Sequence, residues 1–159
     1  MRHELARLGG GAHALAIQIM GNADDAADAV QDALTTVLER PGAYQAGKGP
    51  LRPWFLRVVR NRCIDLLRRR KPGGLPIEEL PDTAAGPEKA AENADVTRLL
   101  QLALANIGPE QRQIVVLRDY LDLPYAQIAS VLEIAPGTVM SRLHRARLAL
   151  ARAYREIDE

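Results

Sequence analysis

The chain has 159 residues, a formal net charge of +1 and 4% aromatic residues. This length suits one ordinary domain or two small ones, and the scarcity of aromatics leaves a core of Leu, Val, Ile and Ala, a composition that favours helices. The single cysteine, Cys63, excludes an intramolecular disulfide and fits a reducing compartment. No apolar run approaches the roughly 20 residues of a membrane span, and residues 1–11 lack a secretory apolar core, so a cytoplasmic chain without membrane insertion is expected.

Residues 12–20, AHALAIQIM, read as a short helix stopped by Gly21. Asn22 is a good N-cap for the next helix, with Asp24, Asp25 and Asp28 near its positive end. Ala26, Val30, Ala33 or Leu34, and Val37 then recur at helical spacing until Pro41-Gly42. Residues 41–50, with three Gly and two Pro, are a loop. Pro53 suits the first turn of a third helix, which is expected to run to about Lys71 before Pro72-Gly73-Gly74. Its core stripe reads Phe55, Val58, Val59, Leu66 and Leu67, with Arg57, Arg60, Arg68 and Arg69 largely off it. Trp54 and Phe55 sit where core packing is favoured over base stacking, and Asp65 has the spacing to pair with Arg62 or Arg69.

Residues 72–92 are rich in Pro, Gly, Ala and acids and read as a flexible linker. Four more helices follow, about 93–107, 110–120, 124–132 and 136–156, and no strand pattern is present. Charge is unevenly spread. Lys48 to Lys71 holds nine Lys or Arg and one acid, Pro72 to Asp95 six acids and one Lys, and Pro136 to Arg155 five Arg and no acid. Two basic surfaces separated by an acidic segment suggest two anion-binding sites.

Within 124–145, Ile128, Ala129 and Leu132 line the first helix, Glu133-Ile134-Ala135 makes a break, and Val139 and Leu143 line the second. This is helix-turn-helix spacing, in which the second helix enters the major groove. Thr138, Met140, Ser141 and Arg142 project from its first turns, and His144 and Arg145 extend the polar face. Arginine there can hold a phosphate or pair bidentately with guanine.

These residues resemble a known family. GTVMSRLHRARLAL is similar to the GTV-x-SR-x-x-RAR signature that closes extracytoplasmic-function (ECF) RNA polymerase sigma factors, and PEQRQIVVLRDYLDLPYAQIASVL resembles the rest of their region 4. NADDAADAVQDAL and PWFLRVVRNRCIDLLRRR resemble two stretches of their region 2. The resemblance covers about residues 12–157. It implies an all-α chain of two small helical domains: a three-helix bundle over 1–71 and a helix-turn-helix domain over 93–159, joined by the flexible linker 72–92. It further implies promoter-specific transcription initiation, with no enzymatic activity, cofactor or metal. The implied partners are core RNA polymerase through its clamp and flap, promoter DNA, and an anti-sigma factor. Asp28, Gln31 and Asp32 would face core polymerase. Tyr44, Lys48, Arg57, Arg60, Asn61 and Arg68 would hold the −10 element. Thr138, Met140, Ser141, Arg142, His144 and Arg145 would read the −35 element. Ile114, Val115 and Leu117 would pack within their own domain and partly on the flap.

The chain also departs from the family pattern. The family usually has a longer, aromatic-containing start, and only MRHELARLGGG precedes Ala12 here, so either the start site is mis-assigned or the first helix is short. Met140 replaces the usual Lys, and Asp122 and Glu133 stand where Gly would supply a left-handed cap, which predicts strain at Glu133. A standalone helix-turn-helix regulator is the alternative reading. The three scattered His and the lone Cys form no metal-ligand spacing or nucleophile motif, which argues against catalysis.

Overall fold

The computed structural model describes residues 1–70 and 87–158, and over these the fold is all-helical. Seven α-helices are described: α1 (Arg2–Met20), α2 (Ala23–Glu39), α3 (Leu51–Arg68), α4 (Pro87–Ala105), α5 (Pro109–Val115), α6 (Tyr125–Leu132) and α7 (Pro136–Asp158). A short 3₁₀ turn, Ala46–Lys48, interrupts the loop before α3, and a wide π turn, Val116–Tyr120, extends α5.

The first helix is longer than expected, starting at Arg2 and passing through Gly9, Gly10 and Gly11. Each glycine costs a helix interior about 1 kcal/mol. Burial of Leu5, at 1% exposure, and of the continuous run Ala14 to Met20 offsets that cost. Gly21 ends α1 in the left-handed region at φ 86°, its N–H donating to the Ile17 carbonyl. Asn22 then caps α2 as expected, its side-chain oxygen accepting from the Asp25 N–H at 2.8 Å.

α1, α2 and α3 pack pairwise into a three-helix bundle. The α2 stripe contains the residues read for it, Ala26, Val30, Ala33 and Val37, joined by Ala29, while Leu34 is only partly buried. That of α3 is shifted. Phe55, Leu56, Val59 and Cys63 form it, Val58 and Leu66 are partly buried, and Leu67 is exposed. The shift reflects the phase at which α3 meets α1 and α2, with Leu51 and Pro53 also buried in its first turn. Asp65 pairs with both Arg62 (3.0 Å) and Arg69 (3.3 Å).

The expected linker 72–92 falls largely outside the described residues, but its end does not, since α4 begins at Pro87. α4, α5 and α6 all pack on α7. In the expected helix 110–120, α-helical geometry gives way at Val116, where the Leu121 N–H reaches back to the Val116 carbonyl at 2.9 Å. The widened turn buries Leu117 and Leu123 and places Asp122 at φ 55°.

The two halves are not separate. α3 packs on α6 and α1 on α5, and a single apolar cluster runs through both. Four arginines stitch this contact. Arg52 donates to the Leu121 carbonyl (2.7 Å), Arg57 to Ser130 Oγ (3.4 Å), Arg60 to Gln113 Oε1 (2.7 Å) and Arg112 to the Gln18 carbonyl (3.4 Å). Gly11 permits close approach here, because a Cβ built on it would lie 3.1 Å from Leu121 Cδ2.

Candidate nucleic-acid interface

The helix-turn-helix is formed by α6 and α7. Ile128, Val139 and Leu143 are sealed in its core, and small Ala129, 5% exposed, lets the helices approach. Glu133 takes the left-handed conformation expected of a cap, φ 56° and ψ 46°, and its N–H and that of Ile134 both reach the Ala129 carbonyl. An L-residue with a full side chain is strained there.

This turn aims the start of α7 outward. Met140, Ser141, Arg142, His144 and Arg145 are exposed, while Thr138 is partly buried. Met140, at 65% exposure, is the most open large apolar residue of the chain's described part. Ser141 Oγ donates to the Thr138 carbonyl (3.1 Å), so its hydroxyl is already used within the helix. Arg145 Nε reaches the Ser141 carbonyl at 3.4 Å. Neither Arg142 nor Arg145 takes part in an ion pair among the described residues.

Sequence reasoning missed the residues that brace this helix. Arg147 forks onto the Asp119 carboxylate at 2.5 and 3.0 Å, tying α7 to the π turn, and this bonding holds the guanidinium above its usual range. Arg118 donates to the Leu123 carbonyl at 2.9 Å and lies 5.1 Å from the centre of the Tyr125 ring. Arg147 is the last residue of the RAR in the quoted signature, but its partner Asp119 lies 28 residues away, and no local spacing links Arg118 to the Leu123 carbonyl.

In the other half, the loop and α3 bring Tyr44, Lys48 and Arg57 to one cleft of about 480 Å³, completed by Trp54 and by Gln127 and Ser130 of α6. Lys48 is exposed on the short turn. Tyr44 is held rather than free, its hydroxyl donating to the Gly49 carbonyl (2.8 Å) and its ring tilted against Trp54 at 5.1 Å. Phe55 is fully buried, and Trp54 is partly buried, as the core-packing reading required. Arg60 lies away from this cleft, gripped by Gln113, and burial pushes its basicity down. Asn61 and Arg68 are solvent-exposed on α3. Helical spacing puts Arg57, Arg60, Asn61 and Arg68 on one side of α3, but contacts with the other half divide them, since Arg57 is taken by Ser130 and Arg60 by Gln113 while Asn61 and Arg68 stay exposed.

Asp28, Gln31 and Asp32 are exposed along α2. Asp32 is not a free acceptor, since Arg62 donates to it at 2.9 and 3.2 Å. Ile114, Val115 and Leu117 are 2%, 6% and 0% exposed. They present no apolar face to a partner in this arrangement, because α1 packs on α5 and covers that side. Arg112, which sequence reasoning also passed over, is buried and among the described residues has backbone carbonyls as its partners, Ile107 at 2.6 Å and Gln18 at 3.4 Å, and desolvation lowers its pKa. Among the described residues, no cluster of three His, Cys, Asp or Glu could hold a metal ion, and no helix is long and apolar enough to cross a membrane.

Comparison with known proteins bears on both halves. The sigma-70 region 2 family matches residues 5–72, and the sigma-70 region 4 family matches residues 97–150. The ECF RNA polymerase sigma factor SigE of Mycolicibacterium smegmatis is 34% identical over 140 residues, which cover 84% of this chain and 53% of that protein. This chain thus spans about half of that relative's length. SigM of Mycobacterium tuberculosis is 35% identical, covering 88% of this chain and 69% of SigM, and SigL of the same species is 35% identical, covering 89% and 81%. The fold is similar to that of the sigma factor RpoE in complex with the anti-sigma factor NepR from Bartonella quintana, with a TM-score of 0.73 and 21% identity over 97% of this chain and 96% of that one. It is also similar to CnrH in complex with the cytosolic domain of CnrY, with a TM-score of 0.65 and 23% identity over 94% and 84%.

Proposed function

Because this chain belongs to the extracytoplasmic-function RNA polymerase sigma factors, we propose that it binds core RNA polymerase in the cytoplasm and directs promoter-specific transcription initiation. The observation that carries this reading is the pairing, in one chain and in order, of a region 2 match and a region 4 match whose recognition helix leaves Arg142 and Arg145 exposed and outside any ion pair among the described residues. A standalone regulator would need neither a region 2 unit nor a second basic helix, and that reading is not favoured.

In this mechanism α7 reads duplex −35 DNA through Thr138, Met140, Ser141, Arg142, His144 and Arg145. Met140 supplies an apolar contact suited to a thymine methyl. Tyr44, Lys48, Arg57, Arg60, Asn61 and Arg68 serve the −10 element, where the duplex opens and a flipped base can be captured. Asp28 and Gln31 are the acceptors left for core polymerase once Asp32 is paired with Arg62. Each DNA surface is small, so affinity rests on linking two weak sites, and phosphate contacts make binding fall with salt.

The closed arrangement must part for this to happen. α6 lies on Arg57, and Gln113 holds Arg60, so two of the proposed −10 contacts are spent on the other half of the chain. The contact is poorly compensated inside. Among the described residues Arg112 is buried without a carboxylate partner, and Gln18 Oε1 is buried without any protein partner, the latter at a cost of about 1–3 kcal/mol. An interface with such groups is held near balance, and core binding can open it. By likeness to RpoE, an anti-sigma factor is the partner proposed to hold the closed form.

Run-off transcription with core enzyme tests the reading. The chain should support initiation, and Asp28→Arg should weaken core binding while leaving the helix-turn-helix folded. A folded chain that neither binds core nor supports initiation at any promoter overturns the proposal.

A further inference from the structure

Between the two halves lies a second cleft, of about 340 Å³, lined by Arg60 from α3, Glu110 and Gln113 from α5, Leu132 from α6, and Arg142 and Arg145 from α7. We propose that this cleft is a binding site for a small oligophosphate anion, and that the bound anion clamps the two halves closed.

Three guanidinium groups meet there against one lining carboxylate, Glu110. Arg60 spends only its Nε on Gln113, and none of the three arginines makes an ion pair among the described residues. Burial already lowers the pKa of Arg60, and only the more distant charges of Glu133 and Glu110 oppose this. One half-buried and two exposed guanidinium groups, none in an ion pair among the described residues, are a donor set that phosphate oxygens satisfy bidentately. The volume falls at the small end of ligand cavities. A duplex cannot enter such a space, since its major groove alone is about 12 Å wide. Arg60 comes from one half and Arg142 and Arg145 from the other, so the site exists only while the halves touch. A ligand confined to the closed form favours it by linkage, about 100-fold at a free concentration 100 times its Kd. It also occupies the arginines proposed to read DNA. That consequence rests on the sigma-factor reading, whereas the binding site does not.

Calorimetry on the full chain, free of polymerase and DNA, tests the site apart from transcription. Inorganic tripolyphosphate should bind 1:1, and Arg60→Gln and Arg142→Gln should each weaken it at least tenfold. Arg152→Gln, exposed on α7 outside the cleft, should leave it nearly unchanged. ATP in parallel separates the sources. Tighter binding of ATP indicates a nucleotide resting on Leu132, and tighter binding of tripolyphosphate a free oligophosphate, and either supports the site. Gly11→Gln improves helix propensity and sets a side chain against Leu121 where the halves meet, and a variant that small-angle scattering shows to be expanded should lose the ligand. No binding, equal weakening by Arg152→Gln, or full binding to an expanded Gly11→Gln chain overturns the proposal.

Discussion

Replacing Glu133 with glycine should stabilise the protein. Glu133 holds φ 56° and ψ 46° at the end of α6. For an L-residue that conformation costs about 1–2 kcal/mol, because Cβ crowds the carbonyl. Glycine removes this cost but loses more freedom on folding, which returns about 0.5–1 kcal/mol. The Glu133 side chain is exposed, so no apolar burial is lost, and its long-range attraction to Arg60 is a surface interaction of small value. The net gain is about 0.5–1 kcal/mol, which for a chain of this size corresponds to roughly 1–4 °C in Tm. Urea unfolding followed by helical circular dichroism should show a higher midpoint with an unchanged slope. Glu133→Ala keeps the Cβ and should give no gain, and Glu133→Asn should fall between. If glycine is no better than alanine, the left-handed strain assigned to this turn is wrong.

Three further outcomes are expected. Arg142→Ala should weaken −35 promoter binding of the core-bound chain by about 1–3 kcal/mol if it contacts a base, measured as the change in Kd by fluorescence anisotropy. Asp25 has its pKa lowered first by the Asn22 side chain and also by Arg70. The folded state therefore binds fewer protons than the unfolded chain, so this contribution is present above the unfolded value of 3.8 and is lost as pH falls through the lower folded value. The acid limb of a stability curve should flatten in Asn22→Ala. The Cys63 thiol is fully buried and pushed up to about 12 by desolvation, so alkylation at neutral pH should be slow in the native protein and rise sharply at the unfolding midpoint, and rapid native labelling would contradict the packing of α3.

The helix-turn-helix was legible because its determinants are local. Ile128, Ala129, Val139 and Leu143 lie close to the break they flank, and the left-handed cap at Glu133 was expected because the family it resembles often has Gly there. Asn22 as a cap and Asp65 as a partner of Arg62 and Arg69 were legible for the same reason. The length of α1 was not. Three consecutive glycines argue against a helix, and only the burial of Leu5 in the assembled bundle and the close approach at Gly11 explain why it forms. Cys63 and Leu56 likewise entered the core through the phase at which α3 meets its neighbours, a phase that periodicity leaves open by a residue or two.

The sequence by itself determined the family, the all-helical class, the recognition helix and the two basic stretches, because each is written in contiguous residues. The tertiary structure alone decided how those stretches are used. Arg57 and Arg60, which read as surface cations, donate across the chain to Ser130 and Gln113, partners 73 and 53 residues away. Ile114, Val115 and Leu117 turn inward for the same reason, since α1 packs on α5. Charge and periodicity specify what a residue can do, while contacts between distant segments select which partner it meets, and that selection depends on the packing of whole helices.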